Sequence, residues 1–189
     1  MWYAVQVETG REEATLAQLV RACELAGLAG ELEEAFVPKR IVFEGQLAQA
    51  QCVERPLFPG YLIVVTSRRG ISRVARAART IPNFARVLTA DGVFVPLLPE
   101  ETDWICALTQ RGDRTIDVSE GFVEGGKVTV VSGPLAGLEP TIAKVNRRKR
   151  VALVELSLCG RRVQVELGLE LMRKHRERAG EASDARGKR

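Results

Sequence analysis

Histidine is nearly absent from this chain: among 189 residues there is one, His175, in a basic C-terminal stretch. Cysteine is sparse and scattered, with Cys23, Cys52, Cys106 and Cys159 tens of residues apart and no CxxC pair. A zinc site needs several such ligands at close spacing, so neither residue type offers a metal centre, and the thiols read as buried or incidental. The same shortages leave no Ser/His/Asp or Cys/His set, and no glycine-rich loop runs into a helix to cradle phosphate. Neither an enzyme nor a cofactor is expected. No apolar run approaches the roughly 18 residues of a membrane span. The N-terminus enters Trp2–Val7 without the basic region of a signal peptide. The expectation is a cytoplasmic, monomeric protein with no membrane partner.

Acid is missing from one long stretch. Residues 55–90 hold seven arginines (Arg55, Arg68, Arg69, Arg73, Arg76, Arg79, Arg86) and no Asp or Glu, whereas residues 1–54 set four basic side chains against nine glutamates. Such asymmetry points to an anionic partner, with a solvated basic helix as the alternative. Arg69, Arg73, Arg76 and Arg79 recur at helical spacing and form one ridge, with Arg68 beside it.

The most informative stretch is Glu54 to Val65. Pro56 and Pro59 each fix φ near about −65°, and Gly60 can take φ > 0 cheaply, so the entry is bent. Tyr61–Val65 then reads as a buried strand with Tyr61 and Ile63 on one face and Leu62 and Val64 on the other. Two apolar faces require two covers: the chain's own helices, or a partner on one side.

Trp2–Val7 is a short strand with Trp2, Ala4 and Gln6 on one face. Thr9 and Glu12 predict a capping box, opening a helix that buries Leu16, Leu19, Val20 and Cys23 and ends at Gly27. A hairpin or loop follows over Ile41–Gln51, then the bent strand, a helix over 72–79, and another opened by Pro99 with Trp104, Ile105 and Leu108 inward. Apolar periodicity fades around 111–121, which predicts a linker at 113–121. Beyond it lie five short strand candidates, at 127–131, 140–145, 150–156, 162–167 and 169–172. Their breaks at Ser132-Gly133-Pro134, Asn146-Arg147-Arg148-Lys149 and Cys159-Gly160 predict a small closed barrel. The reading is α+β: residues 1–112 with sheet and flanking helices, a linker at 113–121, a five-stranded barrel over 122–174, and a disordered basic tail from 175 to 189.

Two distant motifs now agree. The first region, with Phe58-Pro59-Gly60-Tyr61 before a strand and Arg79-Thr80-Ile81-Pro82 after it, resembles the NGN domain of NusG-family transcription elongation factors, an antiparallel sheet with flanking helices. The second, carrying Gly126, Val128, Val130, Gly133, Pro134 and Gly137, resembles their KOW motif, an SH3-like barrel. Pro140 stands where that motif usually has a second glycine, so the first turn of the barrel is expected to differ.

The resemblance implies docking on the clamp helices of the largest catalytic subunit of RNA polymerase. Gln6, Tyr61 and Ile63 match the patch, Trp2, Phe58 and Phe84 are neighbouring candidates, and core packing is the competing role for Trp2 and Phe58. It also implies a protein partner for the KOW domain, either termination factor Rho or a ribosomal protein. The opening Met1–Gly10, Val123–Val128 and the arginine density resemble the LoaP group of specialised antiterminators. For that group Arg68, Arg69, Arg73, Arg76 and Arg79 would meet a nascent RNA hairpin, with DNA as the second polyanion. A housekeeping NusG-type factor is the alternative within the family. A ribosome-associated KOW RNA-binding protein, using Arg147–Arg150, is the alternative outside it.

Overall fold

The computed structural model describes residues 1–45 and 49–172. The expected tail at 175–189, with His175, lies outside the described residues, as do the last two residues of the barrel's expected span. Strand β1 (Trp2–Val7) leads through helix α1 (Glu12–Leu25) to β2 (Leu32–Phe36). Strands β3 (Lys39–Glu44) and β4 (Gln51–Pro56) form the expected hairpin, and β5 (Tyr61–Thr66) follows the bent entry. Helix α2 (Ile71–Ala78) and β6 (Ala85–Val87) complete an antiparallel sheet of order β2-β5-β1-β6. Period-two alternation sends Tyr3, Val5, Leu62 and Val64 to one face, where they form a single apolar cluster with Leu19 and Cys23 of α1 and Val74 of α2.

The Phe58-Pro59-Gly60-Tyr61 segment closes a turn through a Tyr61 N–H bond to the Phe58 carbonyl at 3.1 Å. Proline first and glycine second, the latter at φ +83°, match a type II turn. The expected Thr9–Glu12 capping box is not formed. Helix α1 starts at Glu12 without a side-chain cap, and the buried Glu12 carboxylate accepts the amides of Gly10 and Gly60, each at 2.8 Å. The buried Gly60 amide would otherwise lack an acceptor, so the carboxylate ties the turn to the helix. Burial alone would raise the Glu12 pKa, but hydrogen bonds from the backbone amides of Gly60, Glu12 and Gly10 outweigh it and lower it. A Cβ on residue 60 would sit 3.0 Å from Thr9 Oγ1 at a φ hostile to side chains. Gly60→Ala is therefore expected to cost about 1–3 kcal/mol. An unchanged melting temperature would show that the turn relaxes freely.

A small hairpin, β7 (Thr89–Ala90) with β8 (Val93–Phe94), precedes helix α3 (Pro99–Leu108). Ile105 and Leu108 join Ala4, Phe36, Ile63 and Val65 in a second apolar cluster, so the other sheet face is covered as well. The stretch expected as a linker carries strand structure. Its β9 (Thr115–Ile116) pairs in parallel with β3, and Ile116 is buried.

Strand β10 (Ser119–Glu124) begins inside that same stretch and is joined to β11 (Lys127–Ser132) by Gly125 and Gly126 at φ +56° and +81°, the pattern of a type I′ hairpin. Strands β12 (Ile142–Asn146), β13 (Val151–Leu158) and β14 (Arg161–Leu171) complete a five-stranded sheet of order β11-β10-β14-β13-β12, with β10 and β14 parallel. Five strands are present, but two expectations are corrected. The pieces at 162–167 and 169–172 are one strand, and the fifth is β10. Gly168 explains the continuity: a Cβ there would lie 2.8 Å from the Ile41 carbonyl and 2.9 Å from Val118 Cγ2. Glycine lets β14 run past β3 without breaking. Pro140 sits in a short 3-10 turn, Glu139–Thr141.

Candidate functional site

The register of the first sheet arranges the candidate docking residues in rows across its α3-side face. Glu34, Val65 and Trp2 form the first row, and Phe36, Ile63 and Ala4 the second. Tyr61, Gln6 and Arg86 form the third, at the end of the sheet beside the Phe58–Tyr61 turn.

The rows differ in cover. Over the first lies Arg114, whose guanidinium stacks at 5.1 Å from the Trp2 ring and 4.9 Å from the Phe36 ring. It donates to Glu34 through Nε at 2.9 Å and Nη2 at 2.8 Å, and to Thr109 Oγ1 at 3.2 Å. That bidentate hydrogen bond is the main cause holding the Glu34 pKa below its ordinary value, against the opposing pull of burial. In the second row Ile63 is buried at 1% exposure within the cluster shared with α3. The third row stays accessible, with Gln6 exposed and Tyr61 half-buried.

The six candidate docking residues therefore divide. Trp2, Gln6, Tyr61 and Ile63 share one face, and Phe58 packs edge-on against Trp104 at 5.8 Å with only 6% exposure. Phe84 lies elsewhere, in a groove of about 730 Å³ along β6 lined also by Arg79, Arg86 and Phe94.

The barrel seats against this region through α3. Trp104 Nε1 donates to the Ser157 carbonyl at 3.0 Å, and the buried Glu101 accepts the Gly160 amide at 2.7 Å while its other oxygen accepts the Leu98 amide at 2.9 Å. Val130 of the KOW-like set is buried and Val128 packs beside it, while Gly133 and Gly137 take φ +94° and +82° around Pro134. A Cβ at Gly133 would strike Ser119 Cα at 2.6 Å, so that turn closes only on glycine.

Helix α2 buries Ile71, Val74, Ala75 and Ala78, leaving Arg73 and Arg76 on its exposed face, with Arg68, Arg69 and Arg79 exposed at its two ends. The ridge exists, but one member is compensated: Arg73 pairs with Glu31, from outside the acid-free window. Among the described residues Arg68, Arg69, Arg76 and Arg79 make no ion pair. The sequence does not single out Arg86 or Arg114, which the structure brings to this sheet face. The register of β6 on β1 places the first, and no local signal distinguished the second from an arginine in a linker.

The family model described as "Transcription termination factor nusG" matches residues 1–106. The proteins named "Transcription termination/antitermination protein NusG" from Thermus thermophilus and Pseudomonas aeruginosa are 28% and 30% identical over 172 and 168 residues. Those alignments cover 88% of this chain and 94% and 93% of the relatives. The solved structure titled "Domain interaction in Thermotoga maritima NusG" aligns with a TM-score of 0.53 at 20% identity, covering 88% of this chain and 92% of that one, a likeness of fold.

Proposed function

The chain belongs to the NusG family of transcription factors, and on that premise we propose that it is an elongation and antitermination factor that docks on RNA polymerase through residues 1–112. The observation that carries this reading is the third row, Tyr61 with Gln6, an accessible aromatic and polar pair at the end of a sheet face that is otherwise covered. The clamp helices of the largest catalytic subunit are the proposed docking partner, and residues 119–172, from β10 onward, act as a KOW barrel with a protein partner of its own. Co-purification tests the class. Polymerase subunits should accompany the full chain, and recovery of ribosomal subunits instead would favour a ribosome-associated RNA-binding protein.

The finer reading is action at selected operons through a nascent RNA hairpin held by the α2 ridge. It is supported by the exposed Arg68, Arg69, Arg76 and Arg79, none with an ion-pair partner among the described residues. Arginines on a helix face meet phosphates by charge and shape. Affinity for a leader hairpin should fall with salt, and changing Arg73 and Arg76 together to Ala should reduce the slope of log K against log salt by roughly one to two units. Equal, weak binding to leader and scrambled hairpins, unchanged by the double substitution, would leave the ridge solvated and favour a general factor.

A further inference from the structure

The second basic feature of the sequence, Arg147–Arg150, has no role in the proposed docking or in the α2 ridge. It forms the turn between β12 and β13, closed by the Lys149 amide donating to Asn146 Oδ1 at 3.0 Å. The fold brings this turn against the β3–β4 hairpin. Arg150 lies with its guanidinium 4.8 Å from the centre of the Phe43 ring, and its backbone takes φ +53°. Between the two elements lies a cleft of about 360 Å³. One wall is Phe43, Gly45 and Ala50, without charge, and the other is Asn146, Arg148, Lys149 and Arg150.

We infer that this cleft binds one nucleotide of a single-stranded nucleic acid, its phosphate against Arg148 and Lys149 and its base against the Phe43–Arg150 stack. The volume suits a ligand site at the small end of the usual range. An apolar aromatic wall facing a cationic one is the arrangement that holds a strand without reading its sequence. The Arg150 guanidinium already lies over the Phe43 ring, so the surface offered to a base is the guanidinium plane backed by that ring. Two carboxylates reach the turn: Glu166 lies 3.6 Å from Lys149 Nζ, and Glu170 3.7 Å from Arg150 Nη1. Glu166 is shared with Arg40 at 3.9 Å, and among the described residues Arg147 and Arg148 make no ion pair, so cations remain in excess. An acidic peptide could use the cationic wall alone, whereas the paired apolar wall favours a nucleotide. Because the walls come from β3–β4 and from the barrel, the site exists only with the barrel seated.

The test uses the full chain, with labelled oligo-uridine and oligo-deoxythymidine of equal length and poly-glutamate as competitor. Arg148→Ala with Lys149→Ala should lower affinity about 25-fold at about 0.1 M salt and reduce the salt slope by about 1.4, two single-strand contacts' worth. Arg161→Ala with Arg162→Ala, at the start of β14, should do neither. Repeating the pair in a chain also carrying Arg73→Ala and Arg76→Ala separates the cleft from the ridge, since distant losses add. Amide signals of Gly45 and Ala50 should shift on binding together with those of Lys149 and Arg150. Unchanged affinity and slope, shifts confined to the turn, or equal competition by poly-glutamate would each overturn the assignment.

Discussion

Glu34→Ala should lower stability by about 3 kcal/mol, because it leaves Arg114 buried without its counter-charge. The Arg114 and Glu34 side chains are only 7% and 15% exposed, so water cannot replace the lost carboxylate. The two aromatic rings and Thr109 still hold the guanidinium, which places the cost at the lower end of the range for a broken buried pair. For a chain of this size that is roughly a 6–12 °C fall in Tm. Replacing Glu34 and Arg114 together by alanine should recover part of the loss, since no buried charge is then orphaned. If the single variant melts like the parent, the pair carries no net stability.

The pair also sets a pH dependence. The folded pKa of Glu34 lies below its ordinary value, so its contribution is fully present above that value and is lost as pH falls through the depressed one. Glu12, lowered by its backbone donors, acts in the same direction. Acid titration of the Glu34→Ala variant should show a shallower loss than the parent. A fragment ending at residue 112 lacks Arg114 and should melt below one ending at residue 117.

Tyr61→Ala should weaken polymerase binding about 30-fold or more, since truncating an aromatic anchor at an interface commonly costs about 2 kcal/mol or more. Its neighbour on the same strand face should behave in the opposite way. Ile63 is buried in the apolar cluster it shares with α3, so Ile63→Ala should cost about 2–5 kcal/mol of stability through the cavity it leaves. Tyr61 is half-buried against the same cluster, and its loss should move Tm far less. Titrating labelled polymerase with each variant, alongside a thermal melt, separates the two roles. Normal binding by Tyr61→Ala would remove the third row from the docking surface, and a collapse in its Tm would return the residue to the core.

These contrasts mark what could be read without a structure. The bent entry to β5 was legible because proline and Gly60 restrict or free φ locally, and the two-faced strand was legible because side chains alternate. The helices and most barrel strands followed from similar short-range patterns. Turn chemistry, however, does not say whether a break is taken: Gly168 looked like an end, yet β14 continues through it because β3 and Val118 pass where a side chain would be. Likewise the weak pattern at 113–121 hid β9 and the start of β10, whose partners β3 and β14 lie tens of residues away.

The amino-acid sequence by itself determined the α+β class, the family resemblance and the helical spacing of the arginines, all properties of local spacing and composition. Only the tertiary structure decided that Ile63 is core while Tyr61 remains accessible, that Arg114 caps Trp2 and Phe36, and that Arg150 stacks on Phe43 beside a cleft. Residues on one strand face look alike in sequence. Which of them is covered depends on side chains that arrive from α3, β9 and the barrel, and that burial is a property of packing between distant segments.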